Sequence, residues 1–540
     1  MKLWRRLAPK QIWGRRATIA LSIILILLAA DMIWVRLWRI IPIGYDTTRL
    51  TGPLRPNGTV NYTAELNRIN SAGVTPKNNA APLLIDAMGP KALIGSARDH
   101  RAIYKMLQMA PPPAHAQFVT SYYRWLHNHT HYYQWLRKHV VTAEQWKLQS
   151  SVAVSLLSHR PWTAGHRPLV AAWIRANAAP LALLQKARAF PRYFIPHIHI
   201  IPIYFNSPSV RSPLSFALAE AATTRAMMRL GAGNIRGALA DLAAVRHLIH
   251  LLDQGGQILW WTHWIEQICQ QDEAALANSK EISRGQLESL LAEFGSRPRL
   301  RRPMDTYGLN VRYLRYSRLA FLMAAARTGL RTCFYETNHW GSPFWNGPRH
   351  VPFWRNMLLD ALVPIDFPAL MRRVNTIDDQ LKAACHKPTY RQRAAALSAI
   401  APMISWKQRI ESYNNGNIVS KIFHPPGILI YLFAPFAPYY AENLNDMHEM
   451  YIMRRNLTIL AIALAIYKRD HGRYPRRLAA LAPQYVKAIP LDGFVDKPLT
   501  YHPRDHGQSF LLESAARKRW PGAGGFIIHG GRPFPAGPHR

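Results

Sequence analysis

The residues best suited to chemistry are the histidines of the segment His127-Asn-His-Thr-His131. On a helix, His127 and His131 are four residues apart and share one face, a geometry that can place two imidazoles on one metal ion. No third ligand stands at a fixed offset, and aromatic-rich sequences flank the segment on both sides. We therefore hold His127 and His131 as weak metal-ligand candidates, against the alternative that the segment is a polar turn between two helical pieces.

Sequence motifs of the common enzyme classes are absent. The chain contains no HExxH, GxSxG, P-loop, GxGxxG or EF-hand pattern. The adjacent acids Asp272-Glu273 and Asp378-Asp379 point about 100° apart on a helix, so we interpret them as solvent-exposed faces rather than paired catalytic acids. The sequence therefore identifies no catalytic residue and no cofactor, and it favours a non-enzymatic role while leaving an enzymatic one open.

Cysteine usage excludes two further classes of protein. The three cysteines are far apart in the 540-residue chain, which rules out a disulfide scaffold and a cysteine-based zinc module. They are Cys269, Cys333 and Cys385.

Positive charge is the outstanding compositional feature. The chain has 68 Lys+Arg against 30 Asp+Glu, a formal net charge of +38. A basic stretch interleaved with tyrosines is the candidate anionic-surface contact, and its arginines are Arg297, Arg299, Arg301, Arg302, Arg312, Arg315 and Arg318. Because the charge is spread over the whole chain, nucleic acid is not the expected partner. Anionic lipid headgroups or cell-wall polymers are expected instead, and the alternative is a surface adapted to the organism's surroundings without any ligand.

The amino terminus has the pattern of a membrane anchor. Residues 1–16 carry six basic side chains and no acid, and residues 17–35 are apolar except for Asp31 and two hydroxyl side chains. This length matches the roughly 20 residues that a spanning helix needs, and the basic tail favours a cytoplasmic position. A cleaved signal peptide is the alternative, but Leu27 or Leu28 stands where cleavage requires a small residue. We predict a single-pass protein of the bacterial cytoplasmic (inner) membrane, with most of the chain on the periplasmic side.

The part that follows the anchor is predicted to be helical. The clearest pair is an antiparallel hairpin of helices at 214–230 and 235–252, joined by a Gly-containing turn. Residues 168–188 form a second pair, which Pro180 is expected to kink or divide. Irregular stretches are predicted near 297–350 and 385–426. The apolar segment 425–441 contains four prolines and is predicted to be buried or interfacial rather than a second span.

A small α+β module is predicted at 446–530. Its apolar helix ends near Gly472, Pro475 prevents the helix from resuming, and residues 509–514 are strand-like. The module resembles the globular part of the type II secretion major pseudopilin, in which a helix precedes a D-x-G-x-Y-P turn, an L-x-x-L segment, an I-P-x-D loop and a small antiparallel sheet. The resemblance is carried by Asp470-His-Gly-Arg-Tyr-Pro475, Leu478-Ala-Ala-Leu481 and Ile489-Pro-Leu-Asp492.

Two departures limit what this resemblance implies. Pseudopilins of this type hold calcium with carboxylates in the loop after the strand, whereas residues 514–525 are cationic and contain no acid, so no calcium site is expected. The module also lacks a prepilin peptidase site and assembly helix at its own start, so a polymerising subunit is not expected.

A second resemblance covers most of residues 60–515. Over this range the chain is similar to long, membrane-anchored helical proteins of planctomycete-type and acidobacterial genomes that end in the same tail. It is carried by Val74–Leu84, Ala172–Asn177, Phe190–Pro196 and Gly233–Leu242. The resemblance implies a mainly α architecture: a cytoplasmic tail (1–16), an N-terminal transmembrane helix (17–35), a multi-helix body of antiparallel hairpins (45–445) and the pseudopilin-like module. It implies no activity.

Three functions fit this architecture. The first is a non-enzymatic envelope scaffold or binder of anionic envelope components. The second is a hydrolase of envelope polymers with an unrecognised site. The third is a secretion-linked assembly factor that contacts envelope or secretion proteins through its C-terminal module.

Overall fold

A computed structural model describes residues 42–56, 58–113, 115–128, 160–198, 212–254, 259–296, 367–400, 437–519 and 527–531, together with Ser22, Ile23, Ile26 and Asp305. Almost all of the predicted anchor, the basic stretch 297–318 and most of the segment 425–441 lie outside these residues. The described part is mainly helical, with small antiparallel sheets near its carboxyl end.

Within the described residues, thirteen α-helices precede five short strands in chain order, and a short helix, α14, lies between the fourth and the fifth strand. The helices are α1 (Tyr62–Asn70), α2 (Ala81–Met88), α3 (Ala97–Met106), α4 (Tyr122–Asn128), α5 (Pro168–Ala176), α6 (Ala178–Ala187), α7 (Ser212–Gly231), α8 (Ile235–Gln254), α9 (Leu259–Ala277), α10 (Arg284–Ser296), α11 (Phe367–Cys385), α12 (Tyr390–Ile400), α13 (Ala437–His471) and α14 (Ala516–Arg519). The strands are β1 (Leu491–Asp492), β2 (Lys497–Pro498), β3 (Thr500–Arg504), β4 (Ser509–Glu513) and β5 (Ile527–Gly530).

The hairpin predicted at 214–252 is confirmed as α7 and α8. Gly233 has a φ of +74°, a conformation that favours glycine, and it lies in the turn between the two helices. The Asn234 side chain then accepts a hydrogen bond of 2.9 Å from the Gly237 N–H in the first turn of α8. The apolar stripe of α8 is buried, and α9 packs against both helices of the hairpin.

The division predicted within residues 168–188 is also confirmed. The chain breaks at Asn177, three residues before Pro180, whose ring leaves the carbonyl of residue 176 without its usual helical donor. Asn177 is fully buried, and its side chain accepts from the Thr120 N–H at 2.9 Å and donates to the Trp173 carbonyl at 3.0 Å. Through these hydrogen bonds, Asn177 connects the junction of α5 and α6 to the segment before α4.

The irregular stretch predicted at 385–426 is wrong over residues 390–400, which form α12. Thr389 starts this helix, because its Oγ1 accepts from the Gln392 N–H at 3.2 Å. Leu397 and Ile400 are buried and pack with Leu381 of α11. The sequence 390–400 has little helical amphipathicity of its own, so this packing rather than periodicity forms the helix.

The helix α13 runs through the boundary predicted at 446 without a break. One face of α13 places Ile462 and Ile466 in the core formed with α7, α8 and α9. Another places Leu457 and Leu464 in a core shared with the C-terminal sheet, and Tyr390 of α12 joins that core. A helix apolar on several faces is a central core helix, so body and tail share their hydrophobic interior.

The same helix is the one candidate membrane span within the described residues. Residues Ala441–His471 are long and apolar enough to cross a bilayer, but 67% of the apolar window is buried within the protein. The core helix of a soluble domain has these properties too.

The tail beyond α13 forms the small sheet that the sequence predicts. Gly472, with a φ of +71°, follows the end of the helix. Strands β3, β4 and β5 then pair antiparallel in that order, with Tyr501 opposite Leu512 and Leu512 opposite Ile528. Tyr474 and Phe494 are buried between helix and sheet.

Candidate functional site: a cationic cleft over a buried charge cluster

A cleft of about 260 Å³ lies between α8, α10 and α13, next to the carboxyl end of α6. We call it the cationic cleft, because its charged and imidazole side chains are Arg188, Arg246, His247, His250 and Arg455, with Glu293 as the acid. The described lining is completed by small, aliphatic and aromatic side chains, among them Phe294 and Tyr451. A concave site with converging polar groups beside aromatic walls is the usual form of a small-ligand site.

Hydrogen bonds fix the wall formed by α8. His247 Nε2 donates to the Phe190 carbonyl at 2.9 Å. The Gln254 side chain accepts from the Tyr193 N–H at 3.2 Å and donates to the Pro191 carbonyl at 2.9 Å. These bonds tie the segment after α6 to α8, so the two sides of the cleft hold a fixed spacing.

The same bonds determine which imidazole nitrogens carry protons. His247 donates through Nε2, so that nitrogen is protonated. The orientation of the Gln254 amide makes its Nε2 the donor to His250 Nε2 at 3.0 Å, so neutral His250 carries its proton on Nδ1. Protonation of His250 on Nε2 would break this bond, because two donors would then face each other.

Arg246 forms the floor of the cleft and points into the protein. Its Nε donates to Glu273 at 2.7 Å, and its two other nitrogens pair with Glu273 and Glu266 of α9. Its guanidinium also lies 5.0 Å from the centre of the Phe294 ring. Arg246, Glu266 and Glu273 are all buried, so this is an internal ion-pair network and not a surface one.

The network continues on the other side of α9 with Arg454 and His263. We call these two residues, together with Arg246, Glu266, Asp272 and Glu273, the buried charge cluster. Arg454 of α13 is fully buried, with Nη1 3.0 Å from His263 Nδ1 and Nη2 donating to the Gln267 side chain at 3.2 Å. Burial and then the charge of Arg454 lower the pKa of His263, so that imidazole is neutral. Burial and then Glu273 raise the pKa of Asp272 well above its usual range.

The cluster brings buried cations and buried anions together. Two cations, Arg246 and Arg454, face two anions, Glu266 and Glu273. Burial also keeps Cys269 a neutral thiol by raising its pKa. A balanced set of charges is the form in which several ionisable groups can be buried without a large desolvation cost.

The prediction that Asp272-Glu273 and Asp378-Asp379 are solvent-exposed is wrong for three of the four residues. Asp272, Glu273 and Asp378 are buried, and only Asp379, which pairs with Arg49, is half-exposed. Neighbouring positions on a helix do point in different directions, but α9 is covered by α7 and α8 on one side and by α13 on another. Both directions are therefore interior.

The sequence-predicted site residues do not meet in the cleft. His127 is exposed on α4, where its ring stacks 6.4 Å from that of Tyr123. His131 lies outside the described residues, as do Arg297, Arg299, Arg301, Arg302, Arg312, Arg315 and Arg318. Among the side chains that the structure describes, no group of three or more His, Cys, Asp or Glu residues is placed to hold a metal ion.

The sequence analysis did not identify Arg246 or Arg454, although the position of each arginine within its helix indicates that it is buried. Arg246 lies four residues after Leu242 and three before Ile249, so it belongs to the buried stripe of α8. Arg454 likewise lies within the apolar pattern of α13. A charged residue on a buried stripe needs a buried partner, which predicts an internal ion pair but does not identify the partner.

Glu220 of α7 gives the protein a pH-dependent stability that a substitution can expose. Burial raises its pKa from 4.5 to about 7, so ionising it costs stability as the pH rises through this window. Glu220→Gln is expected to raise the free energy of unfolding at pH 8 by ~1–3 kcal/mol and to leave it unchanged at pH 4. Urea unfolding at both pH values measures this.

His197 acts in the opposite direction in the same window. Burial lowers its pKa from 6.5 to about 4, so its contribution to stability rises with pH between those values. Because the variant and the wild type both contain His197, the difference between their free energies of unfolding at each pH does not include the contribution of His197. Glu281→Gln, at an exposed position, is the control, and a Glu220→Gln effect equal at both pH values would contradict the assignment.

Comparison with models of known protein families, with curated proteins and with solved structures finds no match to this chain.

Proposed function

We propose that the protein is a non-enzymatic, membrane-anchored binder of anionic envelope components, and that the cationic cleft is where it holds them. The observation that carries the proposal is the convergence of Arg188, Arg455 and two histidines on one cleft that holds a single described acid, Glu293. The chain's net charge of +38 supports it, because such a surface concentrates anionic partners near the cleft.

The membrane location is part of this proposal. Residues 17–35 would form the single transmembrane helix of a bacterial inner-membrane protein, with residues 1–16 in the cytoplasm and the cleft on the periplasmic side. The apolar run and the basic residues before it support this arrangement. Lipid headgroups and wall polymers are the anionic components within reach of such a protein.

A secretion-linked assembly factor is the second candidate. The order of a long helix, a glycine-terminated helix end and a small antiparallel sheet supports a pseudopilin-like tail. In this candidate the exposed side of the tail would contact secretion proteins. The side of α13 that faces the body is not free to do so, because α9, α10 and α12 cover it.

Salt-dependent binding is the test of the proposed function. The full chain in discs of phosphatidylcholine is expected to co-sediment with phosphatidylglycerol-containing vesicles or with isolated cell-wall polymer. Binding is expected to weaken steeply as the ionic strength rises from about 0.01 to about 1 M, because the Debye length falls from about 30 to about 3 Å.

Vesicles of pure phosphatidylcholine and a neutral polysaccharide are the matched controls. Absence of binding to both anionic materials, or binding that salt does not change, would overturn the proposed function.

A further inference from the structure

We infer that the turn formed by residues 42–50 is a second membrane contact, in which Ile43 and Tyr45 insert among the lipid headgroups of the bilayer that holds the chain's own anchor. We call these residues the post-anchor turn. The inference rests on the membrane location in the proposed function, and it does not involve the cationic cleft. It is argued from the exposed apolar side chains of the turn, from the contacts that fix the turn, and from its distance along the chain from the anchor.

Exposed apolar side chains are concentrated just after the predicted anchor. Ile43 and Tyr45 are 39% and 74% exposed, and Leu54 is half-exposed a few residues later. Elsewhere in the part of the chain that the structure describes, exposed large apolar side chains outside the anchor occur singly on separate elements, at Met106, Tyr123, Trp264 and Leu491. Single exposed apolar residues are ordinary on a protein surface, whereas apolar side chains grouped on one short segment indicate a contact with a membrane or a partner.

The body of the protein fixes the inner side of the turn. Thr47 and Thr48 are buried. The Asn375 side chain of α11 donates to the Asp46 carbonyl at 2.7 Å and to the Thr47 carbonyl at 2.8 Å. The Tyr62 hydroxyl of α1 donates to the Thr48 carbonyl at 3.0 Å. These bonds hold the turn against α11 and α1, so its two exposed apolar side chains lie on the side that the body leaves open.

The same contacts lower the cost of placing the turn at a bilayer. Three consecutive backbone carbonyls already accept hydrogen bonds from the body, so they do not need water. The Asp46 carboxylate pairs with Arg372 at 2.7 Å. Arg49 pairs with Asp379, and its guanidinium lies 4.4 Å from the centre of the Tyr45 ring. A tyrosine ring beside an arginine is typical of the headgroup level, where the ring is partly immersed and the cation stays among the phosphates.

The length of chain between the anchor and the turn identifies the bilayer as the surface that covers these side chains. The predicted anchor ends at residue 35, and only residues 36–41 separate it from Pro42. Even fully extended, this connection spans no more than about 25 Å. Within the anchor, Ile23 and Ile26 are helical and more than half exposed, as apolar side chains that lipid covers are. The headgroup region around the anchor is therefore within reach of the turn, and it accepts tyrosine and aliphatic side chains.

Photo-crosslinking to lipid tests the contact. The full chain, with p-benzoylphenylalanine in place of Tyr45, is placed in discs of phosphatidylcholine and phosphatidylglycerol and irradiated, and lipid adducts are measured by mass spectrometry. The same amino acid in place of Tyr123, an exposed tyrosine of α4, is the matched control. The adduct yield at position 45 is expected to exceed that at position 123 by ~10-fold or more, because the reaction requires direct contact with lipid. Position 43 is a second site, which keeps the test independent of the contact between Tyr45 and Arg49.

Two results would overturn the inference. The first is an equal yield of lipid adducts at positions 45 and 123, or no lipid adduct at positions 43 and 45. The second is an adduct to another copy of the chain, in vesicles that hold many copies, without any lipid adduct. That result would mean that a second copy covers the post-anchor turn in place of the bilayer.

Extraction of the vesicles with alkaline carbonate separates this inference from the proposed function. If the wild-type chain stays in the membrane and positions 43 and 45 give no lipid adduct, the inference fails and the anchor stands. If the wild-type chain is released, the proposed membrane location fails and the inference fails with it. Lipid adducts at position 45 support the inference even if the salt-dependent binding test fails, and that failure would then overturn only the proposed binding role.

Discussion

Replacement of Arg246 by methionine is expected to lower the free energy of unfolding by ~3–5 kcal/mol. Methionine fills a similar volume, but it leaves Glu266 and Glu273 buried without the guanidinium that compensates their charge. Removal of one partner from a buried ion pair has this cost because the remaining charge is neither hydrated nor paired. Urea unfolding of the full chain in detergent, followed by circular dichroism, measures the loss.

The controls distinguish charge from packing. Arg236→Met, at an exposed position of the same helix, is expected to change stability by less than ~0.5 kcal/mol. The double variant Arg246→Met and Glu273→Gln is expected to recover most of the lost stability, because the remaining buried anion, Glu266, is then matched by the remaining buried cation, Arg454. If Arg246→Met is as stable as wild type, the buried network is not formed in solution.

The helices of the body could be predicted because their sequences contain local signals. The α7–α8 hairpin follows from one apolar stripe, a Gly-containing turn and Asn234, all within about forty residues. The end of α13 at Gly472 and the strand β4 follow from signals that are equally local. Such features depend on neighbours in sequence, and propensity and periodicity report on those neighbours.

The cleft could not be predicted, because its residues come from elements far apart in sequence. Arg188 follows α6, His250 belongs to α8, Glu293 to α10 and Arg455 to α13. No spacing connects them, and only the packing of four helices brings them together. Asp272 was misjudged for a related reason, since periodicity identifies the faces of α9 but not how many of them another helix covers.

The largest effects outside the charge cluster are expected on α13, at two residues that face different cores. Ile462 is fully buried in the core with the body, and Leu464 is fully buried in the core with the C-terminal sheet. Substitution of either residue by alanine is expected to lower the free energy of unfolding by ~2–5 kcal/mol, as is usual when a large buried aliphatic side chain is removed.

The region of the protein that each of these two substitutions destabilises tests whether the body and the tail are separate domains. Two independent domains would unfold separately, so Ile462→Ala would destabilise only the body and Leu464→Ala only the tail. One continuous helix that contributes to both cores couples them, so each variant is expected to lower the midpoint of a single common transition. Hydrogen exchange of peptides from α5 and from β4, measured across a urea series, reports on the body and the tail in the same sample.

Coincident loss of protection in both peptides, shifted to lower urea by both variants, is the expected result. Met106→Ala, at a half-exposed position of α3, is the control and is expected to shift neither peptide appreciably. If Leu464→Ala shifts only the β4 peptide, the tail is an independent unit after all, and the boundary belongs within α13. Under the coupled arrangement, a truncation at residue 446 removes core residues of the body together with the tail. Loss of function in such a truncation would then report on folding, and only substitutions on the exposed side of the tail test its partners.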